Sequence, residues 1–344
     1  MNKKAFGLDI GATSLKLVWL EHQPNGYLLK ATLIAPVPPK GMLSESPLDE
    51  EEMAQAIKKA VDTAGVTTKH VNIALPENQV YTKVLDMPIL SDREVASAIY
   101  WEAEQYIPVP LTNIKLVWSI LKRPEKGTIG EKMQVLMVGA PTMLVNKYQK
   151  IISLAGLQIQ SMETEILATI RSLVLDQTFP TSLIVNIGAV STSFAIVRQG
   201  IMIFTYSMSI GGSAINRAIA TDFNLAPQQA EEYKRVYGVS GKSLGGKIGK
   251  ATEPVLNSIL TEIKKSIAFY SQKYKDNDPI RQIILSGGTA KLPGIELFFA
   301  NNSGIETAIA NPWKALASQQ VPKEILQNAS DYPIAVGLAM RDYE

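Results

Sequence analysis

A short stretch near the N-terminus recurs in the middle of the chain. The sequence reads LDIGATSLKLVWL from Leu8 and IVNIGAVSTSFAIV from Ile184, and four of the five residues from Ile10 to Ser14 match when Ile10 is set on Ile187. Each copy lies between two apolar runs, which is typical of a strand–turn–strand unit. A recurrence of this kind near the start of each half predicts a duplicated domain. A chance similarity of two hairpin turns is the alternative.

Length and composition narrow the chemistry that such a chain can perform. The 344 residues are enough for about two domains with a cleft between them. The 34 Lys and Arg residues nearly balance the 32 Asp and Glu residues, so nucleic acid is not expected as a partner. The absence of cysteine excludes thiolate metal sites and cysteine nucleophiles. Because His22 and His70 are the only histidines, a three-histidine metal site is excluded as well. Carboxylate, lysine and backbone-amide chemistry remain, as in phosphate binding.

Neither end of the chain has the pattern of a membrane segment. Asp9 and Gly11 interrupt the first apolar stretch, so it does not match a signal peptide. The last residues, AVGLAMRDYE, are few and mixed in charge, unlike an amphipathic membrane-binding helix. We therefore expect a cytoplasmic protein without a transmembrane span.

Apolar alternation and punctuating residues divide the first half of the chain into strands and helices. Ser91 and Glu94 have the spacing of a capping box, and Pro108 ends the helix that they begin. A stretch bounded by prolines predicts an inserted α-β-β-α subdomain. The predicted strands lie at 5–10, 15–20, 27–34, 71–75, 79–87, 114–122 and 134–139, and the predicted helices at 49–64, 91–106, 141–155 and 165–175.

The two recurring turns have the composition of phosphate-binding loops. Glycine and small residues at a hairpin let backbone N–H groups converge on phosphate oxygens. Asp9, directly before the first turn, is a candidate ligand of Mg²⁺, and Lys16 on the returning strand is a candidate phosphate contact. If the turns face each other across a cleft, they hold a triphosphate from both sides.

A third glycine-rich segment, LSGGTAKLPGI, follows an apolar strand. Gly287, Gly288 and Thr289 form a loop there in which the backbone can approach a flat ring closely. An ordinary strand-to-helix turn is the alternative. The GKS tripeptide at 241–243 resembles the end of a P-loop, but Val236 stands where that motif needs a glycine. We therefore do not interpret the tripeptide as a phosphate site.

The order of these motifs resembles that of the actin-like ATPase superfamily, and within it the FtsA-like branch. The motifs are LDIGATSLK, VNIGAVSTS, SIGGSAIN, AEEYK, LSGGTAKLPGI and a terminal PIAVGLAM. Two further segments, AIYWEAEQYIPVPL at 98–111 and METEILATIRSL at 162–173, are similar to the PilM family of type IV pilus assembly proteins. The resemblance implies an α/β actin-like ATPase fold, with two duplicated lobes around a nucleotide cleft and an inserted 1C-type subdomain.

The same resemblance implies subdomain boundaries. The last helix is expected to return toward the first lobe. Subdomain 1A is expected at 1–36 and 112–180, the 1C-type insert at 37–111, subdomain 2A at 181–212 and 281–344, and subdomain 2B at 213–280.

ATP and Mg²⁺ are the implied cofactors, and the resemblance carries over to individual positions. Asp9 is expected to hold the metal, and Glu231 and Lys234 are expected to contact ribose and adenine. The other expected contacts are Gly11, Thr13, Ser14 and Lys16 in the first phosphate loop, Gly188, Ser191 and Thr192 in the second, Gly211 and Gly212 in the following turn, and Gly287, Gly288 and Thr289 in the adenosine loop.

One position departs from the superfamily pattern and lowers the expected rate of hydrolysis. Asn186 stands where the second phosphate loop usually opens with an aspartate, and its neutral amide cannot accept a proton from water. Asp9, Glu165 and Asn186 are the expected catalytic set, with turnover slow or absent. Glu165 is a candidate for positioning water by its rough location; a helix-start carboxylate is the alternative.

The PilM resemblance also implies a scaffold that binds a membrane partner. The expected ligand is the short N-terminal cytoplasmic tail of a PilN-like bitopic protein, bound at the inner face of the cytoplasmic membrane, with nucleotide state tuning the affinity. Other pilus assembly proteins and a second copy of the chain are further candidate partners. Val95, Ile99, Trp101 and Tyr106 are candidates to line the groove for the tail; an ordinary core face of an amphipathic helix is the alternative.

Two other functions stay open at this point. One is an FtsA-like cell-division or filament-forming protein, which sedimentation with ATP separates from a discrete scaffold. The other is a small-molecule kinase of the same superfamily. Such a kinase needs a carboxylate base facing the acceptor, and no motif in the sequence identifies one.

Overall fold

The chain folds around three β-sheets. The computed structural model describes residues 4–125, 131–239, 246–275, 278–317 and 321–341, so the GKS tripeptide at 241–243 lies outside the described residues. Two five-stranded sheets form the centres of two lobes, and a three-stranded sheet accompanies them. No helix in the described ranges is long and apolar enough to cross a membrane.

The two large sheets have the same strand topology. The first contains β1 (Phe6–Ile10), β2 (Ser14–Gln23), β3 (Gly26–Pro36), β4 (His70–Leu75) and β8 (Gln158–Thr164), and the second contains β9 (Ser182–Ile187), β10 (Thr192–Arg198), β11 (Ile201–Met208), β12 (Gln282–Ser286) and β13 (Glu306–Ile309). Their orders are β3-β2-β1-β4-β8 and β11-β10-β9-β12-β13. In each, three consecutive strands form an antiparallel meander and two later strands add in parallel. This equivalence confirms the duplicated lobes.

The third sheet belongs to the inserted subdomain, and its pairing corrects the predicted boundaries of 37–111. Its strands β5 (Tyr81–Met87), β6 (Ile114–Lys122) and β7 (Met133–Pro141) pair antiparallel in the order β5-β7-β6. By contrast, β4 pairs with β1, and α1 (Pro47–Ala64) packs on the first large sheet. The insert therefore begins after β4 and includes β6 and β7, because pairing between distant strands decides which sheet a strand joins.

The helix of the insert, α2 (Asp92–Tyr106), begins and ends as predicted. The Ser91 backbone N–H donates to Glu94 Oε2 at 2.8 Å, which satisfies a free donor at the helix start and forms part of a capping box. Val95 and Ile99 are fully buried, because the apolar face of the helix packs on the insert sheet. The helix ends just before Pro108, which disfavours its continuation.

Helices cover both large sheets. α3 (Thr142–Leu154) joins α1 on the first sheet and contributes Tyr148 and Ile151 to the core. The short α9 (Lys323–Gln327) packs through Ile325 near the β2–β3 hairpin. The helices of the second lobe are α5 (Gly212–Phe223), α6 (Pro227–Tyr237), α7 (Lys247–Lys273) and α8 (Ile295–Ser303).

Two helices meet at backbone contact where the lobes join. α10 (Pro333–Met340) follows the second lobe in sequence but packs on the first sheet, where Asn72 Nδ2 donates to the Leu338 carbonyl oxygen at 3.0 Å. α4 (Glu165–Leu173) packs against α10, and a Cβ atom added to Gly337 lies 1.8 Å from the Ala168 carbonyl oxygen. Only glycine fits at this position, so the contact of the two helices is fixed there.

The insert contacts the second lobe as well as the first. Lys273 Nζ at the end of α7 lies 2.6 Å from Asp86 Oδ2 on β5. Gln134 Nε2 on β7 donates to Tyr274 Oη at 3.1 Å. Leu136 on β7 packs in one apolar cluster with residues of α4, β9 and β10. The insert is therefore held between both lobes.

Candidate functional site

The first recurring turn joins β1 to β2 and has an ion pair at its base. The Gly11 N–H donates to the Ser14 carbonyl oxygen at 3.1 Å and closes the turn. Asp9 is buried and lies opposite Lys16 on β2, with Lys16 Nζ 3.0 Å from Asp9 Oδ2. Burial alone lowers the pKa of Lys16, but the Asp9 carboxylate, with weaker help from Asp331 and Glu165, outweighs burial and raises the pKa. The turn therefore presents a cation beside a buried carboxylate.

The second recurring turn joins β9 to β10 and closes in the same way. The Gly188 N–H donates to the Ser191 carbonyl oxygen at 2.9 Å, as the Gly11 N–H does to Ser14. A Cβ atom added to Gly188 lies 3.1 Å from that oxygen, and one added to Gly11 lies 3.0 Å from its counterpart. The recurrence in sequence is therefore a recurrence of backbone geometry.

The two turns differ in charge. Asn186 pairs with Ser193 across the strands in the register that Asp9 and Lys16 occupy in the first lobe. A neutral pair thus replaces the ion pair. Asn186 is buried, and its Oδ1 accepts a hydrogen bond from Ser286 Oγ at 3.1 Å. Its amide therefore connects the second turn to the end of β12.

Glycines of two later loops converge on the second turn. The Gly212 N–H, at the start of α5, donates to the Gly188 carbonyl oxygen at 2.9 Å. A Cβ atom added to Gly211 lies 2.6 Å from the same oxygen, and one added to Gly287 lies 2.5 Å from the Ile187 carbonyl oxygen. Because only glycine permits these approaches, the loops form one cradle at the N-terminus of α5. The N–H groups of Gly212, Ser213 and Ala214 donate to carbonyl oxygens of the cradle, so this helix start favours phosphate through its dipole.

The predicted adenosine loop lies against this cradle. Thr289 Oγ1 donates to the Gly188 carbonyl oxygen at 3.2 Å, and a Cβ atom added to Gly212 lies 2.4 Å from that hydroxyl. A Cβ atom added to Gly288 lies 3.3 Å from Asp331 Oδ1. The buried Asp331 was missed by sequence reasoning, because a single carboxylate before a helix is a common turn residue.

Glu231 and Lys234 form an ion pair on α6. Lys234 Nζ lies 2.6 Å from Glu231 Oε2, and Arg235 Nε lies 2.8 Å from Oε1. Asn216 on α5 donates to the same carboxylate. Desolvation raises the pKa of Glu231, but the Lys234 ion pair and the Asn216 hydrogen bond outweigh it and lower the pKa. Lys234 Nζ lies 3.5 Å from a Cβ atom added to Gly212, so this network reaches the cradle.

Glu165 is the first residue of α4 and lies near the charged turn. Burial, followed by the negative charges of Asp9 and Glu77, raises the pKa of Glu165 to about 8, against the opposing effects of the Glu77 N–H and Lys16. The carboxyl group is therefore mainly protonated at neutral pH. Glu77 was also missed by sequence reasoning, since it stands alone in a connecting segment.

The remaining predicted loop contacts lie in different surroundings. Thr13 is exposed at the first turn, and Ser14 begins β2. Ser191 is buried in the second turn. Thr192 is also buried, and its Oγ1 donates to the Ile210 carbonyl oxygen at 2.7 Å. This hydroxyl therefore fixes the turn, and the expected contact of Thr192 with the nucleotide stays a prediction.

The predicted partner groove on α2 is wrong for two of its four residues. Val95 and Ile99 are 0% and 1% exposed and belong to the core of the insert. Trp101 is 66% exposed and faces solvent. Tyr106 is 41% exposed at the edge of the buried face, and its hydroxyl donates to the Thr82 carbonyl oxygen on β5 at 3.3 Å. An amphipathic pattern indicates that one helix face is buried. It does not show whether the protein's own sheet or a partner covers that face.

A cavity of about 740 Å³ lies between the insert and the two lobes. Its wall includes Leu121 from β6, Ile170 from α4 and Met202 from β11, and Arg171 and Lys314 add two cationic side chains. Cavities of this size hold several side chains of a ligand. Helix α4 therefore has Glu165 near the charged turn and Ile170 and Arg171 at the cavity.

The residues of the two turns fit a nucleotide with Mg²⁺. The glycine cradle brings the backbone of two loops together at the start of α5, where the helix dipole favours anions. Lys16 supplies a cation and Asp9 a carboxylate oxygen. Within the described ranges, no three His, Asp or Glu side chains form a metal cage. One carboxylate is sufficient for Mg²⁺, which keeps several waters and binds phosphate oxygens.

The duplicated lobes and their paired turns define a protein with the actin-like ATPase fold. Ethanolamine utilization protein EutJ from Carboxydothermus hydrogenoformans has a TM-score of 0.58 at 15% identity, over 98% of this chain and 89% of EutJ. MreB 5 of Spiroplasma citri bound to AMPPNP has a TM-score of 0.51 at 11% identity, over 98% and 95% of the two chains. Likenesses at these identities show the fold alone.

The chain belongs to the family of the type IV pilus assembly protein PilM, whose model matches residues 7–343. A chain of a solved PilM-PilN type IV pilus biogenesis complex is 30% identical, with a TM-score of 0.87 over 100% of both chains. Cell division protein FtsA from Streptococcus pneumoniae serotype 2 is 25% identical over 331 residues, which are 84% of this chain and 71% of FtsA. The resemblance to PilM within the FtsA-like branch is confirmed.

Proposed function

We propose that this chain is an ATP–Mg²⁺-binding cytoplasmic scaffold that recruits the N-terminal tail of a PilN-like membrane protein and hydrolyses ATP slowly or not at all. The observation that carries the proposal is that the two turns are closed by equivalent backbone hydrogen bonds but differ in charge. The first turn offers charge to metal and phosphate. The second offers a neutral amide and the positive end of α5, which bind without catalysing.

Each group in the cleft has a defined part in binding. Asp9 holds Mg²⁺ directly or through water, and Lys16 neutralises phosphate charge. The backbone at Gly188 and Gly211 surrounds the phosphates, and the Glu231 network orients the nucleoside. The bound nucleotide supplies a negative charge that both lobes contact. Since Asn186 is neutral, the second lobe provides no proton acceptor for water.

We place the partner tail in the cavity between the insert and the lobes. A short segment with a few apolar anchors fits the apolar part of its wall, and Lys314 offers charge to backbone carbonyls or acidic side chains. The Arg171 guanidinium is already paired with the buried Glu163. Movement of either lobe changes the shape of the cavity, because both lobes and the insert line it. Nucleotide binding is thereby linked to tail binding.

Calorimetric titration of the full chain with ATP–Mg²⁺ tests the nucleotide site. Asp9→Ala is expected to weaken binding at least about tenfold, a loss of about 1.4 kcal/mol. Asp222→Ala, an exposed aspartate on α5, is the matched control and should bind as the wild type does. Equal affinities of wild type and Asp9→Ala would remove the proposed metal ligand.

Binding of a synthetic PilN-like tail peptide, with and without ATP–Mg²⁺, tests the partner site. Leu175, which lines the cavity, is 48% exposed, so Leu175→Arg is expected to keep the fold and lower tail affinity about tenfold or more. The control Leu297→Arg, at a 68% exposed leucine outside the cavity, should have no effect. Loss of binding in Trp101→Ala but not in Leu175→Arg would move the site to the exposed face of α2.

Sedimentation with ATP–Mg²⁺ tests the filament-forming alternative, which the likeness to FtsA favours. A discrete scaffold stays in the supernatant at all nucleotide conditions. ATP-dependent pelleting would favour the FtsA-like alternative.

A further inference from the structure

Glu77 lies where three parts of the molecule meet. It begins the short 3₁₀ helix Glu77–Gln79, which connects β4 of the first large sheet to β5 of the insert. Ser207 Oγ on β11 of the second lobe donates to the Glu77 carbonyl oxygen at 3.4 Å. Glu77 is 2% exposed. Its backbone is therefore fixed between both lobes and the insert.

Glu77 and Glu165 hold each other through reciprocal hydrogen bonds. The Glu77 backbone N–H donates to the Glu165 carboxyl group. The Ile166 backbone N–H donates to the Glu77 carboxyl group. Each carboxyl group is thus bound to the segment that carries the other. A displacement of the Glu77 turn consequently displaces the Glu165 carboxyl group at the start of α4.

The Glu77 carboxyl group is buried and held by several donors. Besides the Ile166 N–H, the Thr82 and Thr164 hydroxyls donate to it, and burial nevertheless raises its pKa. A buried acid that is fixed in this way beside a ligand cleft is a functional candidate.

We propose that Glu77 is a positioning residue of the nucleotide cleft, which orients the Glu165 carboxyl group and transmits a shift of the insert to that group. The inference rests on the proposed nucleotide site, since it assigns Glu165 to that cleft. Because β5 follows the Glu77 turn directly, a shift of the insert sheet reaches α4 through Glu77 and Ile166. The cleft and the partner cavity are thereby connected through one pair of glutamates.

Hydrogen exchange and tail binding of the full chain test the proposal in Glu77→Ala. Loss of the acceptor is expected to speed exchange of the Ile166 amide about tenfold or more. It is also expected to abolish the change in tail affinity that ATP–Mg²⁺ causes. Glu77→Gln keeps a weaker acceptor, so it should show smaller changes in the same directions, with a thermal midpoint no lower than that of the wild type.

Glu50→Gln is the matched control, because Glu50 is a buried glutamate of α1 whose ion pair with Lys150 lies away from the cleft. It should lower the thermal midpoint and leave the effect of ATP on tail affinity intact. A wild-type exchange rate and a wild-type ATP effect in both Glu77 variants would overturn the proposal. Failure of the wild type to bind ATP–Mg²⁺ would instead overturn the proposed function, and the exchange rates would still decide whether Glu77 holds α4.

Discussion

Asn186 on β9 is the cross-strand partner of Ser193 on β10, in the register where the first lobe has Asp9 and Lys16. The two lobes thus share a backbone and differ in side-chain chemistry. The first turn supplies a carboxylate and a cation, and the second supplies a neutral amide bound to Ser286. This division suits the proposed function, in which the cleft binds a nucleotide and hydrolyses it slowly or not at all.

Asn186→Asp is expected to raise the rate of ATP hydrolysis by about tenfold or more, because a carboxylate accepts a proton from water and an amide does not. The new side chain still offers an oxygen to Ser286 Oγ. Phosphate release at saturating ATP–Mg²⁺ measures the change. Asn186→Ala is the control and should not raise the rate. An unchanged rate in Asn186→Asp, with ATP bound, would contradict the role given to the neutral residue.

Lys16→Met is expected to lower the free energy of unfolding by about 3 kcal/mol, because it leaves the buried Asp9 carboxylate without its cation. Urea unfolding measures the loss. Lys265→Met removes a lysine that is 67% exposed and paired with Glu262, and should cost less than about 1 kcal/mol. Similar losses in the two variants would show that the Asp9–Lys16 pair does not stabilise the fold.

The Glu165 carboxyl group is expected to make stability fall as pH rises. Its pKa is about 8 in the folded protein against an ordinary value of 4.5, so the folded state binds this proton more tightly than the unfolded state. The contribution of this proton to stability is fully present at pH values below 4.5 and is lost as the pH rises from 4.5 to about 8. The free energy of unfolding changes over this range with a slope of up to about 1.4 kcal/mol per pH unit.

Urea unfolding of wild type and Glu165→Gln across this pH range measures the effect. The variant should lose the part of the slope that Glu165 causes. The same slope in both proteins would mean that Glu165 does not hold its proton in the folded state.

Gly211→Ala is expected to weaken ATP–Mg²⁺ binding about tenfold or more. Its new Cβ atom lies 2.6 Å from the Gly188 carbonyl oxygen, so the backbone of the cradle has to shift. Asp222→Ala, at an exposed position of the same helix α5, is the control and should bind as the wild type does. Calorimetry measures both affinities. A wild-type affinity in Gly211→Ala would contradict the place given to the nucleotide.

Asp86→Lys is expected to lower the free energy of unfolding by about 1 kcal/mol, because it sets two cations side by side where the insert meets α7. The double variant Asp86→Lys with Lys273→Asp restores the pair and should recover most of the loss. Glu102→Lys is the control, since its pair with Lys83 lies within the insert. Absence of recovery in the double variant would show that this contact does not couple the insert to the second lobe.

Local sequence patterns predicted those features whose partners lie close together in the chain. Ser91 and Glu94 lie within one helical turn, so their spacing alone predicts the capping box. Gly11 and Gly188 each donate a hydrogen bond to a residue only three positions ahead, so each turn is encoded in a short sequence motif that recurs. The recurring motif is what predicted the duplicated lobes.

Sequence reasoning failed where distant segments decide the outcome. The pairing of β4 with β1 and of β7 with β5 depends on chain segments that no local pattern connects, so the insert was bounded wrongly. The spacing of Val95 and Ile99 indicated an apolar helix face, but it did not show that the insert sheet covers that face. Glu77 stands alone in its connecting segment, and its surroundings exist only in the folded protein.

Helix α4 has nine residues and is about 14 Å long. Glu165 at its first turn lies near Asp9, Arg171 near its end lines the cavity, and Ala168 between them touches the backbone of Gly337. One rigid element of this length reaches both places. Under the proposed function, a nucleotide and a partner tail that never touch each other would therefore both contact the same helix.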